Sequence, residues 1–128
     1  MPHILLVDDD VLLRGALHKT LVRAGYDVEE ASGGTEALKV FQRRPQDLVI
    51  TDIVMAEGEG LDMIRALRKL DAHVKIIAMS GGGLGRPDDY LGLAQKFGAT
   101  RILAKPFSGE EVLTLVAAVL AGSPGNEG

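Results

Sequence analysis

The sequence predicts an α/β fold: a single doubly wound five-stranded parallel sheet, order 2-1-3-4-5, with helices on both faces. Three observations predict it. Short apolar, β-branched runs alternate with stretches of helical periodicity along the whole chain. The runs at 3–7 and 48–52 are near-continuously apolar, as strands covered on both faces must be. The run at 26–31 is polar and the one at 101–104 is short, which suits the two edges.

The elements follow in order. His3-Ile-Leu-Leu-Val7 is a buried strand that ends in Asp8-Asp9-Asp10. Leu13, Leu17 and Leu21 then recur at i, i+4, i+8 with Ala16 beside them, while Arg14, Lys19 and Arg23 face elsewhere. That is an amphipathic helix, with Asp10 as its expected cap and Gly25 as its stop. Residues 26–31 form the edge strand. Ser32 is expected to cap a helix running through Phe41, with Ala37, Leu38 and Phe41 inward, and Pro45 ends it.

Leu48-Val-Ile-Thr51 leads into a single carboxylate, Asp52, on a third strand. A loop over 56–60 follows, then a helix with Leu61, Ile64 and Leu67 on its inner face. Residues 74–79 make the fourth strand, ending at Ser80. After the glycines at 81–85, Pro87 suits the first turn of a fourth helix, whose narrow apolar face is Tyr90, Leu91, Ala94 and Phe97, and Gly98 ends it. Arg101–Ala104 is the short fifth strand. Ser108 and Glu111 have capping-box spacing. Val112, Leu115, Val116, Val119 and Leu120 then mark the inner stripe of a fifth helix. The expected organisation is one domain over 1–121 and a polar Gly/Pro tail over 122–128.

Composition narrows the function. The chain has 128 residues, 46% hydrophobic and 25% charged, with a formal net charge of -4. An acidic balance disfavours binding nucleic acid by phosphate neutralisation, so no direct DNA contact is expected. There is no cysteine, which excludes disulfides, thiolate metal sites and thiol catalysis. His3, His18 and His73 form no metal-ligand pair. No apolar run is long enough to span a membrane, and the N-terminus lacks a signal-peptide pattern, so a cytoplasmic location is expected.

In a parallel sheet all the C-terminal strand ends share one rim. The first strand brings Asp8 and Asp9 there, the third Asp52, the fourth Ser80 and the fifth Lys105. The first and third strands are neighbours at the topological switch point, where such sheets bind ligands. Converging carboxylates repel unless a cation neutralises them, and hard oxygen ligands in a hydrated crevice suit Mg²⁺. A carboxylate beside such an ion can act as a nucleophile and form an aspartyl phosphate. Lys105 adds a positive point charge, and the Ser80 hydroxyl can donate to a phosphoryl oxygen. The glycines after Ser80 do not make a dinucleotide fingerprint, because they follow the fourth strand and Arg86 stands where a third glycine is needed.

With these residues in place, the chain from Ile4 to about Leu120 resembles the response-regulator receiver domain of two-component signalling, in its stand-alone form, with the flavodoxin-like (βα)5 architecture. The resemblance is carried by Ile4-Leu-Leu-Val-Asp-Asp-Asp10, Asp47-Leu-Val-Ile-Thr-Asp52 with Met55 and Gly60, Met79-Ser80, and Gly98-Ala99 through Lys105-Pro106-Phe107. It implies that Asp52 is the phosphoacceptor. Asp9 would ligate Mg²⁺ directly, Asp8 through water, and Val54 through its main-chain carbonyl. Ser80 would be the switch hydroxyl and Lys105 the phosphate-binding lysine, joined to Pro106 by a cis peptide. A histidine kinase or histidine phosphotransfer protein would donate the phosphoryl group. A downstream protein would bind the face made by the fourth helix, fifth strand and fifth helix of a monomer or weak dimer.

Four positions depart from the family pattern. Ile102 stands where receivers carry Tyr or Phe, Ala56 where proline is usual, Glu59 where Asp or Asn precedes the glycine, and Gly81 where alanine follows the hydroxyl residue. Ile102 weighs toward the alternative reading, a phosphorylation-independent receiver-like binding module. The intact acidic pair, Ser80 and Lys105 weigh against it. An aspartyl phosphatase is disfavoured because Val54 occupies the place of the second acid. Residues 81–89 are expected to order on phosphorylation. Val54 and Gly82 offer no polar side chain to hold an attacking water, which implies slow hydrolysis.

Overall fold

The computed structural model describes residues 2–53, 60–80 and 98–122. Their strands form one parallel sheet in the order β2-β1-β3-β4-β5, as expected. The strands are β1 (His3–Val7), β2 (Asp27–Ala31), β3 (Leu48–Asp52), β4 (Lys75–Ser80) and β5 (Arg101–Ala104). Helices α1 (Val11–Arg23), α2 (Gly34–Arg43) and α3 (Gly60–Leu70) and a C-terminal helix (Gly109–Leu120) complete the described elements. The helix expected from Pro87 to Gly98, the loop over 81–89 and the tail beyond Gly122 lie outside the described residues, as do Val54, Met55, Ala56 and Glu59.

The strand alternation sorts side chains onto two faces. Leu5, Val7, Val49, Ile76 and Ala78 join Ala37, Val40 and Phe41 of α2 and Met63, Ile64 and Leu67 of α3 in one core. Ile4, Leu6, Leu48, Ile50, Ile77 and Met79 pack on the other face. There they meet Leu17 and Leu21 of α1 and Val112, Val116 and Val119 of the C-terminal helix. Each fully buried leucine or isoleucine contributes about 1.5–3 kcal/mol. All five residues of β3 are buried, whereas in β2 only Ala31 is. That contrast is the central-versus-edge pattern read from composition.

Local signals mostly act as written. Asp10 caps α1, its Oδ1 accepting from the N–H groups of Leu12 and Leu13 at 3.1 Å each. Gly25 reverses the chain after α1 with φ 101°, a left-handed conformation that suits glycine. Ser108 and Glu111 form a complete capping box, worth about 1 kcal/mol or more. The Lys105–Pro106 peptide is cis, as the resemblance implied.

Three expectations need correction. Ser32 does not cap α2; Gly33 holds that position without a side-chain bond. The Ser32 hydroxyl and N–H instead both donate to Glu36 Oε1, at 2.9 and 2.8 Å. A carboxylate one turn into the helix is the stronger acceptor, so the serine acts as donor. Ala16 lies on the exposed side of α1 rather than beside the inner leucines. Arg14 does not face away from the fold; its side chain is only 15% exposed.

Candidate functional site

β1 and β3 are central neighbours in register, with Val7 beside Thr51, so their next residues, Asp8 and Asp52, emerge side by side at one rim. Both carboxyl groups are enclosed, Asp8 at 1% and Asp52 at 6% exposure. Asp9 follows at the exposed lip. Oxygens of Asp8, Asp9 and Asp52 all lie within 4.8 Å of one another. Two oxygen ligands of one Mg²⁺ stand about 2.9–4.2 Å apart, so these three need only a small side-chain adjustment to share an ion. The donor set, all oxygen and all anionic, fits that metal and not a soft one.

β5 adds the counter-charge. Ser80 pairs with Ala104 in the β4–β5 ladder, which brings the next residue, Lys105, to the same rim. Its Nζ lies 3.4 Å from Asp8 Oδ2 and 3.5 Å from Asp52 Oδ2. One cation thus bridges two buried carboxylates from neighbouring strands. Partial neutralisation by that cation is what permits two acids to be buried here. Asp8 is further tied by the Asp10 N–H, which donates to its Oδ1 at 2.9 Å. The main-chain frame around the rim is closed by Asp8 N–H donating to Ala31 at 3.2 Å and Ile53 N–H donating to Met79 at 3.0 Å.

Ser80 ends β4 one residue beyond the partner of Asp52, so its main chain reaches the rim. Its side chain, and Val54 altogether, lie outside the described residues. Asp8, Asp9, Asp52 and Lys105 are therefore brought together as expected. Sequence reading missed Arg14, whose Nη1 donates to the Asp8 main-chain carbonyl at 2.6 Å. The signal was present, because Arg14, Leu17 and Leu21 share the i, i+3, i+7 stripe that faces the fold.

The model of the response regulator receiver domain matches residues 4–117. This chain belongs to the receiver-domain family. It is 35% identical over 111 residues to the chemotaxis protein CheY of Thermotoga maritima, covering 86% of this chain and 90% of that protein. It superposes on a CheY-like receiver domain protein from Methanospirillum hungatei with TM-score 0.88 at 25% identity, over 100% of this chain and 99% of the other. Against longer relatives it spans about half: it is 35% identical over 120 residues to the PhoP regulator of Bacillus subtilis, 49% of that protein's length. Receiver domains are the regulatory modules of two-component response regulators. They bind Mg²⁺ through an acidic pocket and interact with histidine kinases and downstream targets. Among the described residues of this receiver no helix is long and apolar enough to cross a membrane.

Proposed function

We propose that this receiver takes a phosphoryl group on Asp52 from a histidine kinase or phosphotransfer protein in a Mg²⁺-dependent reaction, and signals by protein contact in the cytoplasm. The observation that carries the reading is the joint placement of Asp8, Asp9 and Asp52 within 4.8 Å, with Lys105 3.5 Å from the acceptor. An Asp52 carboxylate oxygen attacks phosphorus, the bond from phosphorus to the donor's nitrogen or oxygen breaks, and an acyl phosphate results. Asp8, Asp9, Asp52 and the Val54 carbonyl would hold Mg²⁺, which when bound neutralises charge on the phosphoryl oxygens. Lys105 stands ready to exchange its contact with Asp52 for one with the transferred group, and the Ser80 hydroxyl would take another of its oxygens. The protein is a regulatory phosphoacceptor that assists its own modification rather than an enzyme with turnover.

Output would pass through β5 and the C-terminal helix, which Ser80 and Lys105 adjoin in the sheet and along the chain, together with the helix expected over 87–98. Ile102 packs partly buried against the core on the α2 and α3 side. It has no aromatic ring or hydroxyl to exchange between sites, so switching would rest on Ser80, Lys105 and the following loop. Residues 1–121 would form the receiver and 122–128 a tail.

The test is intact mass after incubation with acetyl phosphate, with and without Mg²⁺, on wild type and Asp52→Asn. Added phosphoryl mass that needs both Mg²⁺ and Asp52 is the expected result. Folded protein that gains no mass under any condition would favour the phosphorylation-independent binding module.

A further inference from the structure

The acidic rim has a support that its carboxylates do not provide. Arg14, in the first turn of α1, donates through Nη1 to the Asp8 carbonyl at 2.6 Å and through Nε to Glu30 Oε1 at 2.6 Å. Glu30 lies on the edge strand β2, in register with Leu6. His18, one turn further along α1, places Nδ1 2.7 Å from the other Glu30 oxygen. The end of β1, the edge strand and α1 thus meet at one guanidinium. The Asp8 backbone is held from both sides, its N–H by Ala31 of β2 and its carbonyl by Arg14.

That carbonyl belongs to the peptide joining Asp8 to Asp9. Fixing it fixes the peptide plane, and with it the point from which the Asp9 side chain departs. A planar guanidinium can serve two acceptors at a set angle, which a lysine ammonium on a flexible stem cannot. We propose that Arg14 is a positioning residue for the metal site: it orients the Asp8–Asp9 peptide, with Glu30 as its counter-ion, so that both carboxylates address one Mg²⁺. Asp52 and Lys105 come from other strands and are placed without it. The proposal rests on the Mg²⁺ reading of the rim.

The experiment is a Mg²⁺ titration of the full chain followed by ¹H–¹⁵N NMR, since the sequence has no tryptophan to report binding. Wild type, Arg14→Lys, Glu30→Gln and the double variant are compared, each with a melting curve in EDTA. Arg14→Lys keeps the charge and loses the fork, and should weaken Mg²⁺ binding by about tenfold, the scale of a lost contact behind a metal ligand. Glu30→Gln should weaken it in the same direction, and the double variant no further than Arg14→Lys, because Glu30 acts through Arg14. A merely structural arginine would lower the melting temperature and leave the affinity of the folded protein unchanged. Wild-type affinity in Arg14→Lys, with wild type binding normally, would overturn this proposal alone. No binding by wild type would overturn the Mg²⁺ reading together with it. If Arg14→Lys does not fold, unchanged affinity in Glu30→Gln overturns the proposal.

Discussion

The buried acids at the rim should make this receiver less stable than its scaffold allows, and Asp52→Asn should release that cost. The three carboxylates approach within 4.8 Å. Like charges at that separation repel by about 3.5 kcal/mol at an effective dielectric of about 20. Lys105, 3.5 Å from Asp52, returns about 5 kcal/mol on the same basis. Among the described rim charges, Asp8 and Asp9 repel Asp52 and Lys105 attracts it, which leaves repulsion of about 2 kcal/mol, reduced toward about 1 by screening at exposed Asp9. Neutralising Asp52 should therefore stabilise the metal-free protein by about 1–2 kcal/mol, raising Tm by about 3–8 °C. The assay is thermal unfolding by circular dichroism in EDTA and again in Mg²⁺. Wild type should recover about 1.4 kcal/mol at a Mg²⁺ concentration of about ten times Kd, while the variant recovers less. An Asp52→Asn protein that melts below wild type in EDTA, or a gap that Mg²⁺ does not narrow, would refute the electrostatic reasoning.

Other substitutions probe neighbouring parts of the account. Lys105→Gln removes the cation shared by Asp8 and Asp52, so phosphorylation by acetyl phosphate should slow by about a hundredfold. Its Mg²⁺ affinity, read by NMR titration, should hold or rise, because a competing cation is gone. Leu12 is 85% exposed at the start of α1, beside the rim that a protein donor must cover to reach Asp52. Leu12→Gln should slow transfer from a protein donor and leave the acetyl phosphate rate unchanged; equal slowing of both would count against a donor contact there. The Ser32 N–H and hydroxyl, with Arg14 nearby, hold the Glu36 carboxyl below its ordinary value of 4.5. A depressed carboxylate contributes stability above its unfolded value, and that contribution is lost as pH falls through the folded one. The Tm gap between wild type and Glu36→Gln should be constant near neutrality and close in the acid range below 4.5; a gap that persists there would contradict the assignment.

Much of this was legible because strand burial and strand ends leave strong signatures. The near-continuously apolar β1 and β3 belong at the centre of the sheet, and the acids at their C-terminal ends then share one rim. The capping residues Asp10 and Ser108 were readable because their partners lie within one turn. The misreadings concern side chains whose role depends on distant partners. Ser32 has the identity of a cap, but Glu36 competes for it as an acceptor. Arg14 carries a charge that suggests solvent, yet its stripe on α1 faces the fold and its acceptors come from β1 and β2. Periodicity gives the direction of a side chain, and only tertiary placement supplies its partner.

Phosphoryl chemistry should fall on Asp52 and not on its two acidic neighbours. Borohydride reduces an acyl phosphate to the alcohol, so phosphorylated protein treated with it and mapped by peptide mass spectrometry reports the modified residue. Homoserine is expected at position 52 alone, dependent on Mg²⁺, with Asp8 and Asp9 intact. Homoserine at 8 or 9, or phosphoryl mass without any reducible aspartate, would contradict it.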